Sequence, residues 1–259
     1  MSTPILYEVR EAAAWITLNE PQRRNALSEA MLADLNDRVD EALGDSSVRA
    51  IVLTGNGPAF CAGADLKAGG MQARDDVAEQ PFVRLLRTLW HSRKPVVGRI
   101  NGHAFGGGLG LVAACDLVVA STASKFSFSE VRLGVIPAMI SVVVLPKIGI
   151  QEAMWLFLTG ERFDAERARA VGLVHRAVDP DRLDATVGEV LGMVRQGGPN
   201  AIGAAKQLVR TVPTLSMDDA FAHTARLIEG LFASPEAQEG MRAFAEKRPP
   251  SWADPTAKD

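Results

Sequence analysis

The stretch FGGGLGLVAACD, Phe105 to Asp116, sets four glycines in five positions and then turns apolar. KPVVGRI precedes it, a short β-branched run that reads as a strand. A strand feeding a glycine-rich turn that opens a helix presents unpaired backbone N–H groups at a positive dipole end. Such a place suits an anion or a developing oxyanion, because glycine lets a ligand reach the backbone with no Cβ in the way. Three readings compete. Close helix–strand packing with no ligand needs no further residue. A dinucleotide site fits G-x-G-x-x-A at Gly108, Gly110 and Ala113, with Glu130 near the spacing of a ribose-binding acid, but leaves Gly106 and Gly107 unexplained. An oxyanion hole needs a second backbone donor from elsewhere.

AFCAGADLK, Ala59 to Lys67, offers that donor. It too follows an apolar strand, RAIVLTG, and its small residues Ala62, Gly63 and Ala64 leave the backbone accessible. Outward from these loops the chain alternates strands and helices. ILYEVR and AWITLN read as a hairpin. Ser28 caps a helix with Leu32, Leu35, Val39 and Leu43 at helical spacing, closed by Gly44. FVRLLRTLW is a second helix, and LVVA and KFSFSE are strand-like. The succession predicts an α/β fold with parallel strands and crossover helices. Beyond about residue 150 the pattern is mostly helical, with VHRAV as a strand.

The composition bounds the function. With 259 residues, 47% hydrophobic, 23% charged and a net charge of −3, the chain reads as a soluble globular protein. It gives no electrostatic reason to expect nucleic acid or an anionic membrane as partner. Cys61 and Cys115 form no CxxC pair, and His91, His103, His175 and His223 have no metal-ligand spacing, so no metal is expected. The N-terminal residues carry no secretory pattern, and Ile136 to Ile150, interrupted by Pro137, Pro146 and Lys147, reads as too short to span a bilayer. A cytoplasmic location is the expectation.

AFCAGADLK followed by NGHAFGGGLGLVAACD resembles the crotonase superfamily, that of enoyl-CoA hydratases and isomerases. RRNAL (Arg23 to Leu27), FSFSEVRLGVIP (Phe126 to Pro137), LTGERFDAERARAVGLV (Leu158 to Val174) and GMRAFAEKR (Gly240 to Arg248) extend the resemblance over nearly the whole chain. It implies a four-turn ββα spiral core over residues 1–195. A helical region over 196–259 would cap the site and assemble trimers or dimers of trimers (hexamers). It implies an acyl-CoA substrate, no separate cofactor, and backbone N–H groups of Ala62 and Gly107 as the oxyanion hole. Asn25, Ala26, Leu27, Ala62, Gly63, Ala64, Asp65 and Leu66 would line the CoA site, with Phe244 and Lys247 reaching it from a neighbouring subunit.

Hydratases of this superfamily typically use two glutamates. One maps onto Glu130; the other maps onto Gly110 and is missing. A single carboxylate suffices for a Δ3,Δ2-enoyl-CoA isomerase, and it also permits water addition. The local wording is most similar to the bacterial methylglutaconyl-CoA-type hydratases, in which glycine at this position is common. Arg132 lies near Glu130 in sequence but receives no role. The turn IPAMIS, Ile136 to Ser141, is bulkier than the family's usual IPGAGG. Hydratase is the first expectation, isomerase the second, and a non-catalytic acyl-CoA binder the third.

Overall fold

Ile5–Arg10 (β1) and Ala13–Leu18 (β2) pair antiparallel. Their two-residue turn is Glu11-Ala12, both at positive φ (49° and 56°), the backbone that a tight primed hairpin turn requires. The structure, a computed structural model, describes residues 3–65 and 80–253. The chain winds through four turns of strand, strand and helix. The hairpin leads to α1 (Glu29–Gly44). Next, β3 (Ala50–Gly55) and β4 (Ala59–Cys61) lead to α2 (Pro81–His91). β5 (Val96–Ile100) and β6 (His103–Phe105) lead to α3 (Gly107–Ala114). Finally β7 (Leu117–Ser121) and β8 (Lys125–Ser127) lead through a 3-10 turn, Ser129–Leu133, to α4 (Ala138–Thr159).

From the second turn onward the two strands of each turn go to different sheets. With β9 (Phe163–Asp164), α5 (Ala165–Ala170) and β10 (Arg176–Val178) following, the larger sheet runs β1-β2-β3-β5-β7-β10. The smaller runs β4-β6-β8-β9. Every pairing in the larger sheet after the hairpin is parallel. All six residues of β3 are buried, as a strand covered on both faces requires. β4, which lies in a segment read from sequence as a loop, and β6 are three-residue strands, too short to show any period.

α1 begins where expected: the Ser28 hydroxyl accepts from the Met31 N–H, and Met31, Leu32, Leu35, Val39 and Ala42 form its buried face. α4 is two helical stretches joined across a kink. It runs through Pro146 and bends at Gly149, whose φ of 72° and ψ of 170° are non-helical. α4 is the one helix among the described residues long and apolar enough to cross a bilayer by length and composition. Its Ile140, Val143, Val144, Ile148, Ala153 and Leu156 are buried in the protein's own core.

Among the described residues, four α-helices follow β10: α6 (Leu183–Gln196), α7 (Pro199–Thr211), α8 (Met217–Phe232) and α9 (Pro235–Ala245). α7 is clamped to the core by Asp116 at the end of α3. Its carboxylate meets Lys206 Nζ at 2.7 Å and Arg210 Nη2 at 2.6 Å, and accepts the Val96 N–H at 2.7 Å. Arg210 also lies over the Trp90 ring, 3.9 Å from its centroid. Removing the one carboxylate would leave two half-buried cations without their counter-charge. Asp116→Ala is therefore expected to lower unfolding free energy by about 3–5 kcal/mol, read by urea or thermal denaturation. α8, by contrast, buries no residue, and its Phe221 and Phe232 face outward.

Candidate active site

The four glycines of the opening stretch have four different jobs. Gly106 precedes α3 at φ 49° and ψ −120°, a conformation reserved for glycine. Gly107 heads the helix, so its N–H has no intrahelical acceptor, and it makes no hydrogen bond among the described residues. Gly108 lets the first turn of α3 press on β4: a Cβ there would lie 2.4 Å from the Cys61 carbonyl oxygen. Gly110 lies against α4 and α2, where a Cβ would stand 2.4 Å from Ile140 Cγ2 and 3.2 Å from Phe82 Cζ.

The loop after β4 comes up beside this turn. Gly63 sits at φ 87°, and a Cβ on it would be 2.7 Å from the Phe105 carbonyl oxygen and 3.1 Å from the Gly107 nitrogen. Thus the two small-residue loops meet, as the sequence led one to expect. The RRNAL segment forms the third side. The Leu27 N–H donates to the Gly63 carbonyl at 2.8 Å, and Leu27 bridges Ala64 in parallel. Leu27 Cδ1 lies 3.1 Å, and Phe82 Cζ 3.5 Å, from where a Cβ on Gly107 would be.

Glu130 is held on the 3-10 turn after β8, with Gly134 at φ 76° closing that turn. Its carboxylate lies over Gly106: a Cβ on that glycine would be 3.4 Å from Glu130 Oε1. Glu130 Oε2 is buried and has no hydrogen-bond partner. Burial raises the Glu130 pKa from its ordinary value, opposed by a hydrogen bond from its own backbone N–H. A half-buried carboxylate with one buried, unpartnered oxygen and a raised pKa, beside a bare backbone turn, makes Glu130 a candidate for proton transfer. Arg132 supplies it no charge; both its Nε and Nη2 donate to the Thr159 carbonyl near the C-terminus of α4.

Several residues expected at the CoA site have distinct structural places. Asn25 is fully buried, and its side chain brackets the loop. It donates to the carbonyls of Asn56, Ala59 and Phe60 at 3.0, 2.9 and 3.1 Å, and accepts from the Glu20 N–H at 2.9 Å. Ala26 and Leu27 are buried beside it. Arg24 and Asn25 both have left-handed backbones (φ 53° and 54°). That turn aims the Arg24 carbonyl at the Ala62 N–H, which donates to it at 3.0 Å. Hence Ala62 does not offer a free donor in this state, whereas Gly107 does. The buried Asp65 pairs with Arg23. Phe244 is 88% exposed on α9, and Lys247 follows it at φ 53°. Leu66 lies outside the described residues. Cys61 adjoins the site, but burial pushes its thiol up to about 12, so it packs and does not act as a nucleophile. The bulk of IPAMIS pointed to the apolar wall that Ile140 forms, whereas sequence reasoning missed Phe82.

The family profile described as enoyl-CoA hydratase/isomerase matches residues 8–255. A protein named probable enoyl-CoA hydratase from Rhizobium meliloti is 37% identical over 250 residues, covering 94% of this chain and 95% of its own. The (E)-benzylidenesuccinyl-CoA hydratase of Thauera aromatica is 32% identical over 256 residues, covering 96% and 98%. Among solved structures, an enoyl-CoA hydratase from Mycobacterium smegmatis superposes with a TM-score of 0.90 at 33% identity, over 98% of this chain and 100% of that one. A crotonase-type enoyl-CoA hydratase/isomerase from Legionella pneumophila gives 0.89 at 36% identity, over 96% and 99%. The four-turn spiral is thus the crotonase fold.

Proposed function

Since the chain belongs to the enoyl-CoA hydratase/isomerase family, we propose that it adds water to an enoyl-CoA thioester with Glu130 as its sole side-chain acid/base. The observation that carries this reading is the Glu130 carboxylate above the glycine turn, with its Oε2 buried and without a hydrogen-bond partner.

The chemistry follows from what each group can do. Glu130 takes one proton from water as the water oxygen bonds to C3. The C2=C3 electron pair moves onto the thioester oxygen, forming an enolate. Glu130 then returns a proton to C2 as the carbonyl re-forms, so the carboxylate ends as it began. Charge accumulates on the thioester oxygen in between, and the Gly107 N–H at the head of α3 is placed to receive it. Ala62 is the second donor. Its N–H is held by the Arg24 carbonyl, so substrate binding would exchange that carbonyl for the thioester oxygen. CoA would pass along the RRNAL segment and Ala62 to Leu66. Phe244 and Lys247 would reach it from a neighbouring subunit in a trimer or hexamer. The outward-facing Phe221, Phe232 and Phe244 of the helical region support such assembly.

One observation favours a second reading. The glycine turn is flanked by Leu27, Phe82 and Ile140, with no second carboxylate at position 110. An apolar flank suits a proton shuttle between carbons, as in a Δ3,Δ2-enoyl-CoA isomerase. A panel of plain and carboxylated enoyl-CoAs tests the hydratase reading. Loss of the enoyl-thioester absorbance with at least one of them is expected, and no loss with any contradicts it.

A further inference from the structure

Position 110 and Ile140 compete for one space. A Cβ on Gly110 would lie 2.4 Å from Ile140 Cγ2 and 3.1 Å from Ile140 Cβ. Real Cβ atoms do not approach that closely, so something would have to move. Ile140 cannot swing its methyl away easily. It sits in the first turn of α4, 3% exposed, and a β-branched side chain in a helix has essentially one χ1 state. Nor can α3 retreat, because Gly108 presses it onto the Cys61 carbonyl on another flank, where a Cβ would be 2.4 Å from the oxygen. Phe82 closes the remaining gap, with its Cζ 3.2 Å from the same Cβ position.

We propose that Gly110 and Ile140 form a steric pair that confines this site to a single carboxylate, which makes Ile140 a specificity-determining residue. On this account position 110 is held empty by its neighbour. Any side chain there, a glutamate included, requires that Ile140 be reduced first. The consequence for substrate is an apolar wall of Ile140, Phe82 and Leu27 along the Gly107–Gly110 flank, suited to hydrocarbon. Its bearing on catalysis rests on the reading of Glu130 as the acid/base, but the packing claim does not.

A double-mutant cycle tests the pair without substrate. Gly110→Ala is expected to lower Tm by roughly 5 °C through overpacking. Ile140→Ala lowers it through a cavity. The double variant Gly110→Ala/Ile140→Ala should lose clearly less than the sum of the two, because the new methyl enters the vacated space. Additive losses, or an unchanged Tm in Gly110→Ala, overturn the proposal. A second comparison reads function. Gly110→Glu/Ile140→Gly should fold more stably than Gly110→Glu and gain a second carboxyl ionisation in the pH profile of kcat/KM. The same new ionisation in Gly110→Glu alone, at unchanged Tm, also overturns it. Since the alanine cycle needs no turnover, a failure of the Glu130 reading would leave its result intact and be recognised separately.

Discussion

Glu130→Gln is expected to cut kcat/KM for enoyl-CoA turnover by about 10²–10⁴-fold, the usual contribution of a positioned acid/base. Folding should not suffer. Glu130 Oε2 is buried without a hydrogen-bond partner, so the wild-type carboxylate is desolvated with little return. The pH dependence gives the sign. The folded pKa is raised above its unfolded value, so the native state binds more protons within that window. The Glu130 contribution to stability is fully present below the unfolded pKa and is lost as pH rises through the folded pKa. Glutamine titrates in neither state. The variant should therefore lack this loss, and its unfolding free energy relative to wild type should rise across the window. A lower Tm at neutral pH with equal loss of activity would instead mark Glu130 as a packing residue. In the wild type, activity that requires the carboxylate should fall on the acid side at a pH above the ordinary carboxylate value.

Gly63→Ala should be the second large effect, and it strikes both fold and site. At φ 87° an alanine is strained, and its Cβ would lie 2.7 Å from the Phe105 carbonyl oxygen. The same methyl would come within 3.1 Å of the Gly107 nitrogen and separate the two loops. Losing one oxyanion donor typically costs about 10²–10³-fold in kcat, and this change disturbs the approach to that donor directly. A fall of that order in kcat, together with a lowered Tm, is the expected result. Gly44→Ala is the matched control. At the end of α1 its Cβ would meet nothing within 4 Å, so stability should hold or rise by up to about 1 kcal/mol, with kcat unchanged.

Much of this was legible in sequence because it depends on local chemistry. Ser28 is a cap wherever it precedes an amphipathic helix, and a glycine triplet after a strand bares backbone in any fold. Two such loops at strand ends pointed to one site, and the structure joins them at Gly63 and Gly107. The parts that stayed hidden depend on distant partners. A three-residue strand such as β4 has no periodicity; only its pairing with β6 defines it. Asn25 looks like a polar loop residue until its three carbonyl acceptors, all more than thirty residues away, bury it. Pro146 suggests a break, yet α4 bends instead at Gly149, where φ is positive. The absence of a side chain at Gly110 was plain in sequence, but its cause, Ile140 thirty residues on, required the packing of α4 on α3.

The most direct test of the account is the product formed from a short-chain trans-2-enoyl-CoA in deuterated water, read by mass spectrometry. Addition of water through Glu130 predicts a product heavier by one water and carrying one carbon-bound deuterium at C2, formed about 10²–10⁴-fold more slowly by Glu130→Gln. Deuterium exchange into the acyl chain with no gain of water would contradict it and assign the site to isomerisation.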